Sequence, residues 1–400
     1  MQSIYAIINA QFPKNRLEFL NRPLFKHPPL YPFALAVSYL LLGSHVFAAI
    51  VPSLLAWAGI CLMTRNITHN LFGPIPSFLA FLLCLIDPMG WALSIKIGTD
   101  VFVTFLVLVA LWLFLKNFEH GSLWNCGIFL GLASLTKYSA LTYVMAMVLV
   151  LGVHRRYAPL IVLITPLCLM LAPWIGMQFA VYGSSCWRIS YEDFFIPQMF
   201  LVQAILLTAL CYLFAQPLLT YWSKTSFWDR PWGIRVARWI PTGLMALPIA
   251  WLGTSMNSIF LWDSVPWTTF LGNPSTFPGY YFRQPLICLP FLLVVPFSSL
   301  LLLRKVNRSK LFTLITLVFL YFIFAILWSN HQIRYLYAIV PVLIILASGS
   351  WHKVWEITLH LTPWPGRICR IFLVLIGIFF LAKTFRNDWF FAFVNQAGRF

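Results

Sequence analysis

The sequence predicts an all-α, polytopic transmembrane helical protein with about 12 spans and a short juxtamembrane helix near its start. Three observations carry this. Of 400 residues, 61% are hydrophobic and only 9% are charged, against roughly 25% charged in soluble domains. Apolar runs near the ~20 residues needed to cross a bilayer recur from residue 45 to residue 386. The net charge is +17, and most of the basic residues lie between those runs, as the positive-inside rule describes. Such basic segments suit anionic lipid headgroups. No basic stripe carries interleaved exposed aromatics, so nucleic acid is not an expected partner.

Residues 1–29 are polar and mixed, too polar for a signal peptide or a span. Residues 30–43 are apolar but short and follow Pro28 and Pro29, which reads as an interfacial helix. Spans are expected at 45–64, 71–88, 99–116, 122–136, 138–153, 157–179, 199–222, 239–258, 285–303, 311–328, 336–350 and 368–386. The stretch 122–153 reads either as one long tilted helix or as two short ones meeting near Lys137. The whole chain, 1–400, is expected to form one membrane domain: an outer-side segment 1–44, helices over 45–386 and a tail 387–400. Eight cysteines lie mostly inside apolar runs with no Cys-x-x-Cys pair, so they read as small buried apolar residues. Asn66-Ile67-Thr68 and Asn307-Arg308-Ser309 match the glycosylation pattern but fall in segments expected on the cytoplasmic side.

If 122–153 crosses twice, Arg65, Lys116, Arg155, Arg156 and the basic groups of 224–238, 304–310 and 353–370 share one face. They are 15 of the 27 Lys and Arg residues, and that face is expected to be cytoplasmic. The opposite face then collects Lys26, His27, Asp87, Lys96, Asp100, Lys137, His331 and Arg334, with further charges in the 181–198 and 259–284 loops. An ionisable group at or within a span is costly and marks a functional site by default.

Each candidate has a plain structural reading beside the chemical one. Asp100 opens a span and reads as its helix cap or as a carboxylate that takes a proton or orients an acceptor. Lys137 reads as a snorkelling side chain or as a point charge for phosphate. His331 and Arg334 share a helix face if helical, and Arg334 can fork onto phosphate. His27 is a loop histidine, or a phosphate or metal contact. Together they describe cations and a carboxylate at one membrane surface. That set suits transfer of a sugar from a polyprenyl-phosphate carrier, whose phosphate leaves with developing charge.

The order of motifs resembles a known family. Lys26-His27-Pro28-Pro29-Leu30-Tyr31, Gly98-Thr99-Asp100, Gly131-Leu132-Ala133-Ser134-Leu135-Thr136-Lys137-Tyr138, Pro173-Trp174, and Arg334-Tyr335 before Pro341 look like the GT-C membrane glycosyltransferases. The nearest branch is that of the dolichyl-phosphate-mannose protein mannosyltransferases and aminoarabinose transferases, and the resemblance covers about residues 4–350. It implies an outward-facing site, a polyprenyl-phosphate sugar donor, a lipid, glycan or protein acceptor, and an inverting transfer. By position it implies Asp100 as the family's second functional carboxylate, here the catalytic candidate, and Lys26, His27, Lys137, His331, Arg334 and Tyr335 as substrate-binding residues. A divalent metal is compatible with His27 and His331 but not required by the sequence, so no metal ligand and no cofactor is assigned. The membrane expected is the bacterial plasma membrane, or the endoplasmic reticulum in a eukaryote.

Two departures stand out. Family members usually begin with one more span, followed by an outer-side carboxylate before a Tyr-containing helix. Here Ser3-Ile4-Tyr5-Ala6-Ile7-Ile8 looks like that helix, and Met1 stands near where the carboxylate belongs. The family's usual Arg after the juxtamembrane helix is replaced by Ala48-Ala49-Ile50-Val51. The expectation is that the true start lies upstream. The competing expectations are a multi-span transporter or lipid flippase, and a GT-C homologue that binds donor lipid without turning it over.

Overall fold

The computed structural model describes residues 28–119, 121–182, 289–298, 302, 308–327, 333–359 and 363–389. Every regular element among them is helical. The expected spans at 199–222 and 239–258, and the loops 181–198 and 259–284, lie outside the described residues apart from a few residues at the start of the first loop. Helix α1 is Leu30–Leu42, α2 Val46–Phe72, α3 Pro74–Leu85, α4 Pro88–Ser94, α5 Thr99–Asn117, α6 Trp124–Ser134, α7 Leu141–Val153 and α8 Tyr157–Tyr182. After the 3-10 segment Pro290–Phe297 come α9 Arg308–Leu327, the 3-10 segment Ile333–Ile339, α10 Val340–Leu359 and α11 Pro363–Trp389. Among the described residues five helices are long and apolar enough to cross a membrane, and the bent pair α3–α4, taken as one span, makes a sixth. The chain is an integral membrane protein. Helix α1, at 13 residues, falls short of a span, as expected for an interfacial helix.

The first span runs further than the apolar run predicted. Helix α2 continues through Arg65 to Phe72 because Ile67 and Thr68 turn into the core and Thr68 Oγ1 donates to Thr64 O at 2.7 Å. Asn66 is therefore helical, not in a loop. The helix ends at Gly73, whose φ of +93° is a left-handed conformation that glycine adopts without steric cost. Pro74 then opens α3, where a missing N–H costs nothing. The expected span 71–88 is broken: α3 and α4 meet at 53°, and Asp87 caps α4 by accepting from Met89 N and Gly90 N at 3.2 and 3.1 Å.

The stretch 122–153 is a hairpin of two short helices. Helix α6 ends at Ser134, Lys137 is extended (φ −161°, ψ 134°), and a 3-10 turn at Tyr138–Ala140 leads into α7. At the opposite end Arg156 Nη2 donates to Glu119 O, bringing the end of α5 beside the α7–α8 turn. Helices α2 and α5 thus descend side by side from the Asp100 face to the face of Lys116, Arg155 and Arg156. This is the basic side that the sequence assigns to the cytoplasm.

The hairpin is held by close helix packing. Gly127 and Gly131, four residues apart on α6, face α8, and a Cβ on Gly127 would stand 2.2 Å from Leu163 O and 2.5 Å from Pro166 Cγ. Small residues at this spacing let membrane helices approach backbone to backbone. Because a carbonyl of a packed helix cannot retreat as a flexible side chain can, Gly127→Val is expected to destabilise the protein by about 3 kcal/mol. Thermal unfolding of the detergent-solubilised protein reads this directly; an unchanged midpoint would contradict the packing.

Candidate active site

Three segments distant in sequence meet at the outer end of α5. The first is the start of α1, where Leu30 N donates to Leu135 O at 3.0 Å, two residues before Lys137. The second is the loop into α5. Gly98, extended at φ −160°, gives its N–H to Tyr31 Oη at 2.9 Å. Tyr31 Oη also pairs with Ser53 Oγ of α2 at 3.0 Å, and its ring meets Phe102 edge-on at 5.7 Å. Burial raises the Tyr31 phenol above its ordinary pKa, so the hydroxyl keeps its proton. The third segment is the crest of the α6–α7 hairpin, where Lys137 Nζ forms an ion pair with Asp100 Oδ1. The two side chains are 15% and 10% exposed, which leaves them open to a ligand but largely withdrawn from water.

The pair answers both structural readings. Asp100 does not cap α5: the N-cap is Gly98 and no side chain caps it. Its carboxylate sits in the first helical turn, where the helix dipole favours a negative charge, and it points to Lys137 instead. Lys137 reaches a carboxylate rather than snorkelling away to the interface.

Surrounding groups fix this geometry. Trp174 Nε1 donates to Tyr138 Oη at 3.0 Å, which ties the residue after Lys137 to α8. Tyr321 of α9 hydrogen-bonds Ser139 and lies within electrostatic reach of Asp100. Tyr143 Oη donates to Ala338 O at 2.5 Å. That bond anchors the 3-10 segment Ile333–Ile339, which carries Arg334 and Tyr335 and packs against α5. The described backbone thus brings the Arg334-Tyr335 segment to the helix that bears Asp100. Lys26, His27 and His331 lie outside the described residues. Among the described residues no three His, Cys, Asp or Glu side chains gather as metal ligands.

Several participants carry no obvious sequence signal. Tyr31 sits in the Pro-Pro-Leu-Tyr motif, yet its bond to Gly98 crosses 67 positions. Lys383 is 1% exposed within α11; a lysine inside an apolar run was the available signal. Asp87, also 1% exposed, stands near Tyr337 Oη and Trp57 Nε1 across the space left by Gly90. Removing the phenol that holds Gly98 is expected to loosen the approach to α5. Tyr31→Phe should cost about 1–2 kcal/mol of stability and slow any reaction of Asp100 about tenfold. Unfolding and turnover measured on the same preparation check it, and normal values for both would remove Tyr31 from the support of the site.

The arrangement can be set against known proteins. Residues 26–176 match the family described as dolichyl-phosphate-mannose-protein mannosyltransferase. The segment covers α1, Asp100 and Lys137. The apo oligosaccharyltransferase of Archaeoglobus fulgidus superposes on 91% of this chain with a TM-score of 0.53 at 15% identity. The chain shares the fold of that membrane enzyme. The same archaeal enzyme tethered to an acceptor peptide matches 92% of this chain with a TM-score of 0.50 and 15% identity. The chain spans about half the length of that protein, 46% and 47% in the two structures. ArnT of Cupriavidus metallidurans bound to undecaprenyl phosphate is matched over 85% of this chain and 71% of its own, at 15% identity. Its TM-score of 0.38 is too low to bear on the fold. No curated protein sequence matches the chain.

Proposed function

We propose that this GT-C chain is a membrane glycosyltransferase that takes a sugar from a polyprenyl-phosphate donor at the outer face of its membrane. The observation that carries the reading is the Asp100–Lys137 pair at the membrane end opposite the basic segments. Support also comes from the family matched by residues 26–176, whose name specifies a dolichyl-phosphate sugar donor. The acceptor is a lipid, glycan or protein hydroxyl or amine. A bound acceptor peptide in the similar archaeal oligosaccharyltransferase favours the protein class.

In the proposed reaction Lys137 holds the Asp100 carboxylate in place through their ion pair. The acceptor O–H or N–H donates its hydrogen bond to the Asp100 carboxylate. The acceptor atom attacks the anomeric carbon from the face opposite the phosphate, the C1–O bond to phosphate breaks, and Asp100 receives the proton. Polyprenyl phosphate departs with the bonding pair. Lys137 and Arg334, with Lys26 and His27, stabilise the charge that develops on it. His331 and Tyr335 complete the donor contacts. The membrane is the bacterial plasma membrane, or the endoplasmic reticulum in a eukaryote.

Purified full chain incubated with a polyprenyl-phosphate sugar labelled in the sugar tests this. Release of label from the lipid into an acceptor supports transfer. Movement of intact labelled lipid across a vesicle bilayer with no bond cleavage would replace the reading with a flippase.

A further inference from the structure

A cavity of about 300 Å3 opens at the other end of the molecule, on the face of Lys116 and Lys310. Three helix ends build it. Asn70 and Ile67 come from the last turns of α2, Trp112, Leu115 and Lys116 from those of α5, and Lys310 from the first turn of α9. Two ammonium groups therefore line one recess, and among the described residues neither has a carboxylate partner. Lys116 Nζ stands 5.0 Å from the Trp112 ring centroid, a cation–π contact that orients the charge without neutralising it. Like charges in one recess repel, and an anion between them removes that cost.

The lining also states what kind of anion. At ~30 Å3 per water the space is that of about ten waters, ample for a phosphate and its glycerol ester. Asn70 adds amide donors to the two ammonium groups. Ile67 and Leu115 add apolar wall, which a small hydrated anion does not use and an acyl-bearing one does. The recess also sits where α2, α5 and α9 leave the membrane on the basic side, within reach of headgroups. We infer that this recess binds the phosphate of an anionic phospholipid from the leaflet opposite the Asp100–Lys137 site. The assignment does not depend on the sugar-transfer reading.

The test is native mass spectrometry of the full-length protein in detergent, titrated separately with phosphatidylglycerol, phosphatidylcholine and glycerol 1-phosphate. Phosphatidylglycerol is expected to be retained over phosphatidylcholine. Lys116→Gln with Lys310→Gln should lower its retention on the order of thirtyfold, about fivefold per lysine. Arginine at both positions should restore it. A matched control, Arg65→Gln with Arg367→Gln, removes the same charge at two exposed positions outside the cavity and should leave retention unchanged. Equal loss in the control would reduce the effect to surface charge and overturn the site. Unchanged retention in the Lys116/Lys310 double variant, confirmed folded by an unaltered melting profile, would overturn it as well. Binding of glycerol 1-phosphate as tightly as the lipid would overturn the lipid assignment in favour of a soluble phosphate.

Discussion

Asp100→Asn is expected to abolish sugar transfer, with a loss of at least about a hundredfold and up to ~10^4. The amide keeps the size and one hydrogen-bond acceptor of the carboxylate, so the start of α5 should persist with its Gly98–Tyr31 bond intact. What is lost is the capacity to take a proton and the negative charge facing Lys137. Turnover of labelled donor by the purified variant is the measurement, run beside donor retention on the same protein. Retention should remain near the original value while turnover vanishes. Full turnover would remove Asp100 from the reaction and leave it as the electrostatic anchor of the hairpin.

The second large effect is on stability. Lys137→Met leaves Asp100 largely buried without its ammonium partner, and breaking such a pair from one side costs about 3 kcal/mol or more. The double variant, Asp100→Asn with Lys137→Met, removes both charges. It should recover most of that loss, ending within about 1 kcal/mol of the original protein. Neither variant should transfer sugar. Thermal unfolding of the three variants in one detergent completes the cycle. Donor binding should weaken by about tenfold or more in both variants lacking Lys137, as a lost hydrogen bond to a charged group implies. If the double variant is no more stable than Lys137→Met, the pair is not what holds these elements together.

Much of this was legible in the sequence because membranes write their constraints into composition. Long apolar runs placed α5, α8 and α9 within a few residues. The short run after Pro28-Pro29 marked α1 as too brief to cross. The basic segments share one face if 122–153 crosses twice, and the hairpin turning at Lys137 is the two-helix alternative of that stretch. The break between α3 and α4 was hidden, because a run that stays apolar gives no sign of a 53° bend; only Asp87-Pro88, an N-cap followed by a first-turn proline, hinted at it. The extension of α2 past Arg65 was hidden for the opposite reason. A charged residue reads as a boundary, whereas one exposed arginine is tolerated on a helix whose opposite face is buried. At the site, residue types pointed to Asp100 and Lys137 separately, but nothing along the chain pairs positions 37 apart. The pairing is a product of the hairpin, whereas the shared hydrogen bonding of Tyr31 with Gly98 and Ser53 is a product of α1 packing on α2. Lys26, His27 and His331 remain proposals resting on sequence alone.

The length of α5 has a consequence for who can reach the site. Asp100 and Lys116 are 16 positions apart on that helix, a rise of about 24 Å at 1.5 Å per residue. The hydrocarbon core of a bilayer is ~30 Å thick. With Lys116 at the inner boundary of that core, Asp100 lies about 6 Å inside its outer boundary. A donor phosphate tethered to its own membrane tail settles to that depth with little lifting, but an acceptor arriving from water must descend to it. Under the proposed sugar transfer, that depth is a filter on acceptors. It admits slender, extended or lipid-borne groups and keeps out the surface of a rigid, folded partner.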